Sequence, residues 1–214
     1  MRLPLLVAAL FAVLYTFFNA LIPAHLDVFV KIIPMLLLMY TVWRQHPADV
    51  SFQRWLIISL FFCMLGDATI GFQFLVGLLC FLIGHISYIY TFRKVRARVV
   101  PRSVTLVLML YGAVMLTVFF TTLIQAQDYV LLLAICVYIC AILAMGLTAF
   151  STMNRYLYSG AILFIISDSI LAVNLFVMPI PLAHELVMLT YYSAQFCFSY
   201  SVCDYSEFRN KVIQ

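Results

Sequence analysis

An all-α membrane bundle of eight transmembrane helices, folded as one domain over residues 1–214, is the architecture this sequence predicts. Three observations carry the expectation. Hydrophobic residues fill 66% of the chain and charged ones 9%, where soluble globular chains carry about a quarter charged. The apolar runs are repeatedly long enough for a helical crossing, which takes roughly 20 residues. The bases fall in short clusters between those runs, so the net charge of +4 speaks to membrane orientation before nucleic acid.

The first span covers about 3–22. It runs directly into a second apolar segment without a short hydrophobic region and cleavage site, so it reads as a retained anchor rather than a signal peptide. The second, about 28–43, carries Lys31 and Pro34 in its first turns and ends at the polar stretch WRQHPADVSFQR. Spans three and four, about 54–70 and 72–92, meet near Gly71 as a tight helical hairpin. The strongest basic cluster, RKVRARVVPR at 93–102, separates them from spans five and six, about 104–123 and 129–149. Span seven is about 156–174; span eight, about 182–203, follows Pro179 and Pro181 and ends before the polar tail DYSEFRNKVIQ.

With eight spans, Arg2, Arg44, Arg54, the bases of 93–102, Arg155, Arg209 and Lys211 all fall on one side, while the opposite links hold Asp27 and Asp128. Positive charge gathers in cytoplasmic loops, which places both termini in the cytoplasm. The same cluster at 93–102 fits contact with anionic headgroups, although topology alone accounts for it.

Two acids interrupt the apolar spans: Asp67 in LFFCMLGDATI and Asp168 in GAILFIISDSILAVN. A carboxylate inside a membrane is expensive and marks either a polar cavity or a private hydrogen bond between helices. At 1.5 Å per residue Asp67 lies roughly 5 Å and Asp168 roughly 9 Å from the non-cytoplasmic end. Lys31, His184 and Glu185 enter from that side too, so five ionisable groups gather in one half of the bundle, whereas spans five and six contribute none. Lys31 reads either as a partner for one carboxylate or for a phosphate, or as a lysine reaching back to the interface. Span four presents His85 and Tyr88 beside Gly77 and Gly84 at helical spacing; His85 fits a buried bond to a neighbouring helix or the floor of the cavity. Span eight carries a polar stripe, Glu185, Met188, Tyr192, Gln195 and Ser199, in which Gln195 suits packing and substrate contact equally.

Other chemistries lack their residues. The sequence holds no HExxH, no carboxylate-rich metal cage, and only His85 and His184 within spans, too few for a three-histidine zinc centre. No GxSxG or phosphate-cradling glycine loop occurs. The six cysteines, Cys136 and Cys140 included, read as small packing residues of apolar helices.

Several stretches, Lys31-Ile-Ile-Pro34, Leu65-Gly66-Asp67, FLVGLLCFLIGHISY from Phe74 to Tyr88, Gly160 to Asp168, and Tyr191-Tyr192-Ser-Ala-Gln195, together resemble the YhhN family, which includes the animal transmembrane lysoplasmalogenases. The lysine motif follows the widely spaced animal form rather than the Lys-Pro of many bacterial members. The resemblance implies an eight-span, metal-free enzyme of the bacterial inner membrane. It would cleave the vinyl ether bond of lysoplasmalogen to a fatty aldehyde and glycerophosphoethanolamine or glycerophosphocholine, with Asp67 and Asp168 as catalytic acids. The partner expected is therefore a membrane lipid with a polar headgroup and one alkyl chain.

A vinyl ether suits a carboxyl pair. Protonating its outer carbon yields an oxocarbenium ion, which a nearby anion stabilises before water adds. Asp168, the deeper acid, is expected to donate the proton and Asp67 to stabilise the cation and activate water, by analogy with glycosidase acid pairs; the reverse assignment fits the sequence too, and Lys31 or His184 would meet the phosphate. Hydrolysis of another lipid bond, a proton-coupled transporter and a non-catalytic lipid-binding protein are the alternatives. Only vinyl ether cleavage would release aldehyde from such a lipid.

Overall fold

The computed structural model describes residues 2–45 and 49–213, with side chains for 3–45 and 49–202. Among the described residues the chain forms α1 (Arg2–Phe18), a 3-10 turn (Asn19–Leu21), α2 (Asp27–Trp43), α3 (Val50–Thr69), α4 (Phe74–Lys94), α5 (Arg102–Gln125), α6 (Tyr129–Phe150), α7 (Arg155–Phe176) and α8 (Ala183–Ile213). The side chains of Arg2, Cys203, Arg209 and Lys211, which enter the charge and cysteine readings, lie outside the described residues.

The helices start where the sequence supplies oxygen acceptors for their unpaired N–H groups. The Asp49 carboxylate accepts from Ser51 and Phe52, Asp128 from Leu131, and the Asn154 amide oxygen from Tyr156 and Leu157. Inside the bundle no water is at hand, so backbone groups must pair within each helix. Side-chain hydroxyls follow suit: Thr16, Thr41, Thr91 and Thr148 each donate to the carbonyl four residues back. Leucines stay on the outside, with Leu6 and Leu10 of α1 and Leu106 and Leu110 of α5 exposed, as a lipid-facing surface requires.

Among the described residues, six helical stretches are long and apolar enough to cross a membrane: Leu3–Leu21, α3, α4, α5, α6 and α7. The protein is thus an integral membrane bundle of polytopic, all-α type. α2, at 17 residues, spans about 25 Å at 1.5 Å per residue, short of a hydrocarbon core of roughly 30 Å. α8 continues as a helix to Ile213 through the stretch read as a polar tail, because DYSEFRNKVI contains neither glycine nor proline to stop it.

α3 packs closely on α4, α7 on α8, and α4 on α6. The α3–α4 hairpin forms at the expected place, but not through Gly71, which has no left-handed backbone and open space where a Cβ would stand. Gly77 matters instead: a Cβ there would lie 2.5 Å from the Ile70 Cα, and one at Gly84 would lie 2.8 Å from the Cys63 Sγ. Small residues here let the helix backbones approach. At the opposite end of the bundle the basic 93–102 segment lies against the α6–α7 link, where Ala97 and Arg98 donate their N–H groups to the Ser151 carbonyl.

Gly77→Ala is therefore expected to lower stability by about 1–3 kcal/mol through overpacking, whereas Gly71→Ala should stay within about 0.5 kcal/mol of wild type. Thermal unfolding of the two purified variants in one detergent checks the contrast.

Candidate functional site

Pro34 shapes the centre of the site before any acid is considered. Lacking an N–H, it leaves the Val30 carbonyl without its usual helical donor. The next carbonyl, that of Lys31, accepts a hydrogen bond of 2.8 Å from the Tyr192 hydroxyl of α8. α2 is thus tied to α8 at the turn that carries Lys31.

From that turn Lys31 reaches α3. Its ammonium donates to the Asp67 carbonyl at 3.2 Å and stands 3.6 Å from Asp67 Oδ1. The other carboxylate oxygen, Oδ2, accepts a 2.5 Å bond from the Tyr191 hydroxyl. Lys31 is 8% and Asp67 4% exposed, so this is a buried ion pair and not a lysine reaching out to the interface. Its mutual attraction has to offset the desolvation of both charges.

Asp168 approaches from α7, where Ser167 fixes the local geometry by donating to the Val187 carbonyl of α8 at 3.0 Å. The Tyr138 hydroxyl of α6 donates to Asp168 Oδ2 at 2.5 Å. Beside it, the Tyr111 hydroxyl of α5 bonds the hydroxyl of Ser169. Among the described residues, Asp67 therefore has a cation and a hydroxyl donor, and Asp168 a hydroxyl donor alone.

Both acids line one cavity of about 130 Å³, bordered by residues of α2 through α8. α3 packs chiefly on α4 and α7 chiefly on α8, and each brings its carboxylate to this one space. The walls are mainly apolar, with Phe74, Leu78, Met115, Ile135 and Leu171 among them. A second cavity of about 410 Å³ lies where the 3-10 turn, the start of α2 and the α3–α4 link converge, lined by Asn19, Asp27, Lys31, Asp67 and Gly71 among others. Lys31 and Asp67 face both cavities.

The remaining sequence candidates stand elsewhere. His85 is fully buried, with Nδ1 2.7 Å from the Phe81 carbonyl of its own helix. That contact places the proton on Nδ1. Its ring packs edge-on against Tyr138 and Phe164, with centroids 5.1 and 4.7 Å away, so it backs the tyrosine that holds Asp168. Tyr88 donates to the Gln195 amide oxygen at 2.5 Å, a tie between α4 and α8 outside both cavities. His184 packs against the Tyr15 ring at 5.5 Å, and Glu185 is half-buried near the start of α8. Neither lines either of these two cavities.

Tyr111, Tyr138 and Tyr191 do line the inner cavity; none was expected there from the sequence, although Tyr191 stands in one of the stretches that carry the family resemblance. Spans five and six hold no acid or base, which hid their hydroxyls. Yet away from its two ends, α6 has Tyr138 as its sole hydroxyl, a signal available without a structure. Tyr191 is one residue, about 100° of helix, off the stripe through Tyr192 and Gln195.

Comparison with known proteins joins this geometry to a family. The YhhN family model matches residues 26–202. Lysoplasmalogenase TMEM86B of Homo sapiens is 28% identical over 171 residues, covering 78% of this chain and 70% of that protein. TMEM86B of Sus scrofa is 31% identical over 185 residues, 84% and 76% of the two chains. Lysoplasmalogenase TMEM86A of Bos taurus is 27% identical over 176 residues, 76% and 69%. No solved structure matches.

Removing one member of the buried ion pair strands the other. Lys31→Met is expected to destabilise the protein by about 3–5 kcal/mol, and adding Asp67→Asn should return much of that loss. A double-mutant cycle on detergent unfolding measures the coupling; additive losses would show that the pair contributes no interaction of its own.

Proposed function

The chain belongs to the YhhN family, and on that premise we propose that it hydrolyses the vinyl ether bond of lysoplasmalogens. The products are a fatty aldehyde and a glycerophospho-alcohol, glycerophosphoethanolamine or glycerophosphocholine. The observation that carries the reading is the pair of acids on one largely apolar cavity, each held by a tyrosine hydroxyl and, among the described residues, only Asp67 joined to a cation.

That asymmetry divides the labour. Asp168 enters the reaction protonated and gives its proton to the outer alkene carbon, as the π electrons form the new C–H bond. Tyr138 holds one oxygen of Asp168 and leaves the other to face the substrate. The carbon bound to the ether oxygen becomes cationic, and the Asp67 carboxylate stabilises it electrostatically in a water-poor site. Water adds to that carbon and loses a proton to Asp67. The hemiacetal then collapses: the Asp168 carboxylate takes its hydroxyl proton, the C–O bond to glycerol breaks, and Asp67 gives its proton to the glycerol oxygen, which returns both acids to their starting state. The net change is the consumption of one water.

Apolar walls suit the alkyl chain, and the ammonium of Lys31 suits the phosphate. The arrangement in the membrane follows the positive-inside reading: one domain of eight crossings, both termini cytoplasmic, in a bacterial inner membrane, with the site in the non-cytoplasmic half. A buried lysine–carboxylate pair set between two cavities also suits a proton-coupled carrier. Flux into proteoliposomes without lipid turnover would favour that second reading.

The test is aldehyde release from a defined lysoplasmalogen, followed by mass spectrometry. Asp67→Asn and Asp168→Asn are each expected to lose at least about 100-fold in kcat, the scale of a positioned acid or base. Tyr138→Phe should lose about tenfold, one hydrogen bond's worth of positioning. Full activity in either folded asparagine variant would overturn the paired-acid mechanism.

A further inference from the structure

Asp27 stands in the first turn of α2, one helical turn before Lys31. Residues four apart on a helix are neighbours, and an acid followed by a lysine at that spacing usually pairs with it. Here the lysine turns away: among the described residues the ion pair it makes is with Asp67. Asp27 is left half-buried at the wall of the outer cavity, with a 3.3 Å bond from the Tyr15 hydroxyl and no cation among the described residues. A carboxylate in a recess of reduced polarity attracts positive charge more strongly than one in open water.

Lys31 completes the other half. An ammonium has three N–H donors; two contacts go to Asp67, its carbonyl and Oδ1. The same side chain lines the outer cavity, so its third donor is free to meet an anion there. Asp27 and Lys31 stand one turn apart on α2, about 6 Å along the helix axis between their backbones, and both side chains line the outer cavity. A phosphate joined through two carbons to an ammonium carries the two complementary charges in one small group. The volume of about 410 Å³ falls within the range of roughly 300–1,000 Å³ for small-molecule sites.

We propose that the outer cavity is the headgroup subsite of a zwitterionic phospholipid, in which Asp27 receives the terminal ammonium and Lys31 the phosphate. Asp27 is then the residue that separates ammonium-bearing headgroups from those ending in a neutral alcohol. The proposal rests on the lipid-hydrolase reading for its ligand and is tested separately from it.

Binding is measured first, with saturated ether analogues that lack the cleavable alkene and carry either a phosphoethanolamine or a phosphoglycerol head. Purified protein in nanodiscs is titrated with each. Wild type is expected to bind the phosphoethanolamine analogue about tenfold more tightly, the scale of one charge-assisted contact. Asp27→Asn should bring the ratio close to one, and Asp27→Glu should restore most of it, which a merely misfolded variant cannot mimic. Equal binding of both analogues by wild type, or an unchanged ratio in folded Asp27→Asn, overturns the proposal. Soluble phosphoethanolamine is titrated alone: weak binding supports a lipid site, and affinity equal to that of the analogue overturns it in favour of a free-metabolite site. Turnover of the cleavable lipids is a separate readout. A wild type that discriminates the analogues through Asp27 yet releases no aldehyde would leave this subsite standing and remove the hydrolase reading.

Discussion

Burying Asp67 is the constraint around which the bundle is arranged. A carboxylate shielded from water is tolerable only with its charge and its lone pairs met, and α3 supplies neither partner. Lys31 comes from α2 and the Tyr191 hydroxyl from α8. One acidic side chain thereby holds three helices to a common depth and rotation. The Tyr192 hydroxyl, bonded to the Lys31 carbonyl beside Pro34, fixes the same crossing from the backbone side. The apolar surfaces of a membrane bundle slide past one another with little preference, because lipid is as apolar as leucine. Directional bonds of this kind supply the register that greasy packing lacks.

α8 carries much of this burden. Tyr191, Tyr192 and Gln195 reach α3, α2 and α4 in turn, and Val187 receives Ser167 from α7. On its α7 side, Gly160 lets Phe198 come so close that an added Cβ would stand 2.7 Å from its ring. Phe164 fills the space between, packed against both His85 and Tyr191. The two carboxylates are consequently held by linked but separate supports: Asp67 by α2 and α8, Asp168 by α6 with His85 behind it.

Much of this was legible in the residue string, for a physical reason. The cost of charge in a bilayer leaves few acids in apolar runs, so Asp67 and Asp168 stand out with no structure in hand, and helix lengths follow from runs of leucine and phenylalanine. Tyrosine carries no such penalty. Its ring satisfies the apolar pattern while its hydroxyl is free to bond, so Tyr138 and Tyr191 disappeared into the hydrophobic count. For the hydrogen-bonding stripes the residue string left two readings open. Tyr88 and Gln195 bond each other between α4 and α8, while His85 bonds the Phe81 carbonyl of its own helix and packs its ring on α6 and α7. Gly71 was the obvious hinge by its place in the hairpin; Gly77, inside the helix, makes the close approach.

The shared wall between the two cavities carries a consequence for traffic. Because Lys31 and Asp67 border an oily chamber on one side and a polar recess on the other, a molecule with one greasy and one ionic end can be held astride them without either end entering the wrong solvent. Cutting such a molecule at the divide, as the proposed reaction does, yields fragments with opposite exits. The aldehyde is left among the apolar walls of the inner cavity, and the phospho-alcohol beside Asn19 and Asp27 in the outer one.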